Sequence, residues 1–177
     1  MKNLASISVI LFLLFTACNE QQKEQRTKGD STPTVMEQTM KENAEKYIQA
    51  WSKNDFDLMK SISVENLVRN ANGEITSKNQ SEIGETMKFW HTAIPDFNLA
   101  QGDIVIKGDK SYSNWTSTGT NTGMFGETPP TGKKSETQGF SVLTFNKEGK
   151  IIYEQSYYDL LGVLKQWGYS ITPPPSK

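Results

Sequence analysis

The chain has 177 residues, 19 of them basic and 20 acidic, for a formal net charge of −1. That length predicts one domain with extra segments rather than two domains. A nearly neutral chain without a Lys/Arg run argues against nucleic acid as its partner.

The N-terminus reads as a targeting segment. Lys2 supplies a small positive region, Ile7–Phe15 is a compact apolar run, and the small residues Thr16-Ala17 precede Cys18. The apolar run is too short for a comfortable membrane span. Leu14-Phe15-Thr16-Ala17-Cys18 resembles a bacterial lipobox, with Phe15 where leucine is usual. The resemblance implies a signal peptide over residues 1–17, lipid on Cys18, and an address on the periplasmic or surface side of a bacterial membrane. Cys18 is the only cysteine, so it has no internal disulfide partner. The plainer reading is a spare thiol beside an ordinary signal peptide or an uncleaved anchor. Asn19–Thr34 carries charges and amides but no aliphatic or aromatic side chain beyond the threonine methyls. It has no apolar area to offset ordering, so residues 18–35 read as a lipidated cysteine and a disordered tether. The folded domain is expected over 36–170, with a loose tail at 171–177.

Within the domain, Met36, Met40, Ala44, Tyr47, Ile48 and Trp51 share one face of a helix over Met36–Lys53. Asn54-Asp55 breaks and caps it, and Phe56, Met59 and Ile62 give a short second helix the same kind of face. Val64–Arg69 holds a brief strand and Asn70–Gly73 a turn. Ser77-x-x-Gln80 has the form of a capping box for a third helix, which carries Ile83, Met87 and Trp90 and ends near His91, before Pro95. The period then changes. Phe97–Ile106, Ser111–Thr122, Glu136–Phe145 and Lys150–Asp159 read as strands, Gly123–Lys134 as a Gly/Pro-rich loop, and Leu160–Trp167 as a closing helix. Helices followed by a run of strands define an α+β fold, with three N-terminal helices on one highly curved antiparallel sheet, a short C-terminal helix, and a pocket between the layers.

Several strings in this order resemble the SnoaL-like polyketide cyclase, or ester cyclase, family of the NTF2-like cone superfamily. They are Tyr47-Ile48-Gln49-Ala50-Trp51 with Asn54-Asp55, Ile94-Pro95-Asp96, Gly119–Gly123, Pro130–Lys133, Gly149-Lys150-Ile151, Asp159–Gly162 and Gln166-Trp167-Gly168. The resemblance covers about Met40–Tyr169. It implies a helix-capped cone with a deep apolar pocket, a pocket aspartate as general acid/base in an intramolecular aldol closure, and neither metal nor cofactor. The matching aspartate is Asp159. Asn121 and Ser141 stand where members of the family carry histidines, and Gln155 stands where many carry tryptophan.

Strand alternation puts Tyr153, Gln155, Tyr157 and Asp159 on one face of the fourth long strand, and Ile152, Glu154, Ser156 and Tyr158 on the other. The first face mixes aromatic bodies with polar tips, as a pocket for a planar, oxygenated ligand requires. A carboxylate in an apolar pocket has its pKa raised by desolvation and can take a proton beside a carbonyl. The competing reading makes Asp159 the N-cap of the helix beginning at Leu160. Tyr47, Trp51, Met59, Trp90, Trp115, Asn121, Ser141, Gln155 and Tyr157 are the candidate pocket residues. His91, the only histidine, most simply serves a helix C-terminus. No metal-ligand cluster, phosphate-binding glycine loop or Gly-x-Ser-x-Gly string is present.

Three functions fit these features. One is a cofactor-free cyclase or isomerase using Asp159. Another is a tethered module that binds a small apolar or oxygenated aromatic molecule, or a peptide, without chemistry. The third is a structural lipoprotein forming a homodimer through the open sheet face.

Overall fold

A computed structural model describes residues 33–173. The expected signal peptide, Cys18, nearly all of the tether and the end of the tail lie outside the described residues.

The first helix, α1, spans Val35–Lys53. Thr34 and Glu37 form a capping box at its start: Thr34 Oγ1 accepts from the Glu37 amide at 3.1 Å, and the Glu37 carboxylate accepts from the Thr34 amide at 2.7 Å. Its apolar stripe buries Met40, Ala44, Tyr47, Ile48 and Trp51, while Met36 stays exposed. Asn54 takes the left-handed conformation (φ 53°) that ends the helix. Asp55 then accepts from the Leu58 amide at 2.9 Å and caps α2, Phe56–Ile62.

Strand β1 covers Ser63–Ala71. Asn72 and Gly73, both with positive φ, turn the chain into β2, Glu74–Ser77. The cap of α3, Gln80–Ala93, falls two residues later than expected. Asn79 accepts from the Glu82 amide at 2.9 Å, and the Glu82 carboxylate accepts from the Lys78 amide at 2.7 Å. Ser77 is unavailable as a cap because β2 buries it, with its hydroxyl 3.2 Å from that of Thr86.

Strands β3 (Asn98–Lys107), β4 (Lys110–Thr120), β5 (Lys134–Phe145) and β6 (Ile151–Tyr158) follow, and α4 (Leu160–Trp167) closes the domain. The sheet order is β2-β1-β6-β5-β4-β3. The pairing is antiparallel except between β1 and β6, which run parallel. This corrects the expectation of a wholly antiparallel sheet. The chain leaves β2 through α3, starts again at the far edge, and meanders back until β6 meets the free side of β1 in the same direction.

The inner sheet face contributes Leu67, Trp115, Leu143, Phe145 and Ile151 to a core completed by α1, α2 and α3. A second, smaller cluster of Ala93, Ile94, Val163 and Trp167 joins the end of α3 to α4. A cavity lined by residues of both clusters lies between the layers and is the candidate functional site.

Candidate functional site

A cavity opens between the inner sheet face and the helices. Tyr47 and Trp51 reach it from α1, Trp90 from α3, Trp115 from β4, Ser141 from β5, and Glu154, Ser156 and Tyr158 from β6. Six aromatic side chains line it: Tyr47, Trp51, Trp90, Phe97, Trp115 and Tyr158. The Tyr158 ring stands 6.0 Å from that of Trp115 and 6.4 Å from that of Trp90. Gly139, paired with both Trp115 and Tyr158, has no side chain because the Trp115 indole occupies the space where a Cβ would project.

Besides Ser117, Thr118, Ser135 and Thr137, polar groups form two bonded clusters on these walls. Trp115 Nε1 donates to Ser141 Oγ at 2.9 Å, and Ser141 Oγ lies 3.3 Å from Ser156 Oγ. Arg69 and Glu154 face each other across the parallel β1–β6 pair. Arg69 Nε is 3.2 Å from both carboxylate oxygens and donates to Oε1. Arg69 also donates to Thr76 Oγ1 at 2.9 Å, and its guanidinium carbon lies 5.0 Å from the Trp51 ring centre. Glu154 is 1 % exposed and Arg69 5 %.

Burial pushes the Glu154 carboxyl up from its ordinary value of 4.5, with Arg69 pulling it back. Burial likewise holds the Tyr47 phenol well above 10.0, and the nearby Glu154 charge adds to this. For Arg69 burial works against the charge, but Glu154, Tyr47 and Tyr158 outweigh it and keep the guanidinium firmly protonated. Glu154 Oε2 has no hydrogen-bond partner among the described residues, and neither does the Trp51 indole nitrogen. Buried polar atoms are rarely left this way.

The cavity brings together five of the expected pocket residues: Tyr47, Trp51, Trp90, Trp115 and Ser141. Four others lie elsewhere. Met59 is fully buried in the main core, away from the cavity. Asn121 serves as a structural pin. Its Nδ2 donates to the carbonyls of Ala93 (3.0 Å) and Gly123 (2.9 Å), and its Oδ1 accepts from the amide and hydroxyl of Thr131. Gln155 and Tyr157 point out of the opposite sheet face, because the helices cover the alternate set Glu154, Ser156 and Tyr158.

That phase also fixes the place of Asp159. The residue is exposed and follows the last residue of β6, and its Oδ1 accepts from the Gly162 amide at 2.7 Å as the N-cap of α4. It does not line the cavity. Asp96 is likewise taken up locally, accepting from the amide and hydroxyl of Thr120 at 2.6 and 2.8 Å. His91 Nε2 donates to the Trp51 carbonyl at 2.8 Å, so it ties α3 to the last turn of α1.

Arg69, Glu154, Ser156 and Tyr158 are the site residues that sequence reasoning passed over. A readable signal existed for Arg69 and Glu154: Glu154 is the single charge of β6, Arg69 shares β1 only with Glu65, and each lies two residues from a buried apolar or small side chain. Among the described residues no cluster of three or more His, Cys, Asp or Glu is placed to hold a metal, and no helix is long and apolar enough to cross a membrane.

A cavity under a helix-capped, curved sheet is the architecture of the NTF2-like cone. The model of the SnoaL-like polyketide cyclase family matches residues 41–167, and the chain belongs to that family. Among curated proteins none matches this chain. Solved structures share the fold. A SnoaL-like protein assigned as a polyketide cyclase from Jannaschia sp. CCS1 is 16 % identical, with a TM-score of 0.70 over 81 % of this chain and 99 % of its own. IdmH of Streptomyces antibioticus, also assigned as a polyketide cyclase, is 18 % identical, with a TM-score of 0.64 over 73 % and 99 %. TsrD of Streptomyces laurentii is 18 % identical, with a TM-score of 0.65 over 74 % and 96 %. At these identities the likeness is one of fold.

Proposed function

We propose that the chain is a membrane-tethered member of the family whose cavity binds a small, apolar, oxygenated aromatic molecule. The observation that carries this reading is the wall itself. Six aromatic side chains line the space, and two buried polar atoms of its wall residues, the acceptor Glu154 Oε2 and the donor Trp51 Nε1, have no partner among the described residues. Such a wall favours a planar ligand with a hydroxyl or carbonyl, since each polar atom on it gains a bond it otherwise lacks. The cavity holds about 60 Å³ in which the centre of a water-sized sphere fits. That is several times the roughly 10–15 Å³ one water needs, yet below the 150 Å³ of a dry cavity that takes benzene. A cavity of this size takes only part of one ring, with the rest of the ligand at the mouth, and has no room for a fused polycycle.

The test is titration of the full-length chain with phenylacetone, read by tryptophan fluorescence. Saturable quenching is expected, and Ser117→Phe, which adds bulk to the cavity wall, should weaken it at least tenfold. Quenching that never saturates, or that ignores Ser117→Phe, overturns the reading.

The tether is proposed from Leu14–Cys18. Incorporation of a labelled fatty acid that Cys18→Ser abolishes supports it, and label unaffected by that change refutes it. The outer sheet face, with Val105, Phe140 and Tyr157 exposed, is the surface proposed to meet a second copy. A monomer at high concentration in sedimentation would rule this out.

A further inference from the structure

The cavity contains a carboxylate that its fold does not use up. Glu154 could be satisfied as a purely structural ion pair only if both oxygens were bonded, because a buried charge is costly until its lone pairs are taken. Arg69 Nε donates to Oε1, and Oε2, 3.2 Å from the same nitrogen, has no hydrogen-bond partner among the described residues. Arg69 is itself held in place by Thr76 and by the Trp51 ring, so the pair is rigid. The Trp51 ring centre lies 5.0 Å from the same guanidinium carbon, and its N–H is an unpartnered donor among the described residues. A base, a fixed cation behind it and a free N–H around one aromatic space are the parts needed to move a proton on a bound carbonyl compound.

We propose that Glu154 is the proton-transferring residue of this cavity and Arg69 its positioning residue, acting on a ligand with an acidic C–H beside a carbonyl. The inference rests on the ligand-binding reading above. In the step, Glu154 Oε2 takes the proton from the α-carbon. The C–H electron pair moves into the C–C bond and the carbonyl pair onto oxygen, where the Trp51 N–H is available to the enolate. Glu154 then returns a proton to the same carbon, or to another position of the conjugated system. Nothing is oxidised or reduced, and no co-reactant is consumed. Arg69 from β1 and Tyr47 from α1 are the titratable groups that act on Glu154, and Tyr158 of β6 acts on Arg69. Asp159, capping α4 outside the cavity, takes no part.

The experiment uses the full-length chain and phenylacetone in D2O, with proton NMR following deuterium uptake at the benzylic CH2. The unmodified chain is expected to accelerate uptake over buffer, with a rate that rises with pH as Glu154 loses its proton. Glu154→Gln should lower the catalysed rate at least 100-fold while fluorescence still reports phenylacetone binding, and Asp159→Asn should leave it within twofold. Because Glu154→Gln strands Arg69, the double change Arg69→Met, Glu154→Gln provides a second, charge-free variant, expected to bind and not to exchange. Glu154→Asp should retain part of the rate and the pH profile. Saturable binding without accelerated exchange overturns the inference and leaves the binding reading standing. Exchange surviving in both Glu154→Gln and the double variant, or lost in Asp159→Asn alone, overturns it as well.

Discussion

Two carboxylates five residues apart on the same stretch of chain meet opposite fates. Asp159, just past the end of β6, is exposed and bonded to the Gly162 amide, a cap whose work is finished within one helical turn. Glu154, in the middle of β6, is buried across from Arg69 with one oxygen unused. The difference lies in which face of the sheet the helices cover and in where the strand stops. It teaches that a carboxylate's chemistry follows from the accounting of its hydrogen bonds: a satisfied, solvated acid stabilises a backbone, whereas a buried and half-satisfied one is available to a ligand.

The sharpest way to break the comparison is to delete the buried member. Glu154→Ala leaves the Arg69 charge uncompensated and should cost about 3–5 kcal/mol of stability, measured by urea unfolding. The double change Arg69→Met, Glu154→Leu should recover most of that loss, since an apolar pair of similar volume is often no worse than the ions it replaces. The pH dependence has a definite sign. Burial raises the folded-state pKa of Glu154 above its ordinary 4.5. Its contribution to stability is therefore fully present below that value and is lost as pH rises through the raised one. Asp96, held low chiefly by the Thr120 amide, runs the other way: its contribution is present above 3.8 and is lost as pH falls. Unfolding free energies of Glu154→Gln and Asp96→Asn measured across pH 3–7 should diverge from the parent at opposite ends. Parallel curves would deny the contrast.

A middle-sized effect tests the wall that Glu154 serves. Gly139→Ala puts a Cβ into the space of the Trp115 indole. The overpacking should cost about 1–3 kcal/mol and disturb the Trp115–Ser141 hydrogen bond, visible as a shifted tryptophan emission. Unchanged emission and stability would mean that the indole moves aside freely.

The helices were legible because their apolar residues recur with one clear period: Met40, Ala44, Tyr47, Ile48 and Trp51 are buried together as their spacing requires. They carried Tyr47, Trp51 and Trp90 into the site with them. The phase of β6 was not legible. Tyr153, Gln155 and Tyr157 are as aromatic and polar as Glu154, Ser156 and Tyr158, so alternation alone gives two equal faces, and only the helices packed on one side decide between them. Asn121 misled for a different reason. A buried amide with four bonds to its own loop and the end of α3 has no mark in the sequence that separates it from an amide facing a ligand.

The smallest effect belongs to Asp159. Replacing it with alanine removes the oxygen that takes up the Gly162 amide, one of the donors at the start of α4 that no helical carbonyl reaches. The loss should be about 1 kcal/mol, the usual cost of an N-cap. Asparagine should restore most of it, because its side-chain oxygen accepts the same bond. The reasoning is specific to a cap. A base acting on a ligand would show a different pattern, with chemistry lost on truncation and not rescued by the amide. Thermal or urea unfolding of Asp159→Ala and Asp159→Asn, set beside their deuterium uptake into phenylacetone, separates the two. Stability lost in alanine and regained in asparagine, with uptake unchanged in both, assigns Asp159 to the helix. Uptake lost in both would return it to the chemistry and leave Glu154 as a structural ion.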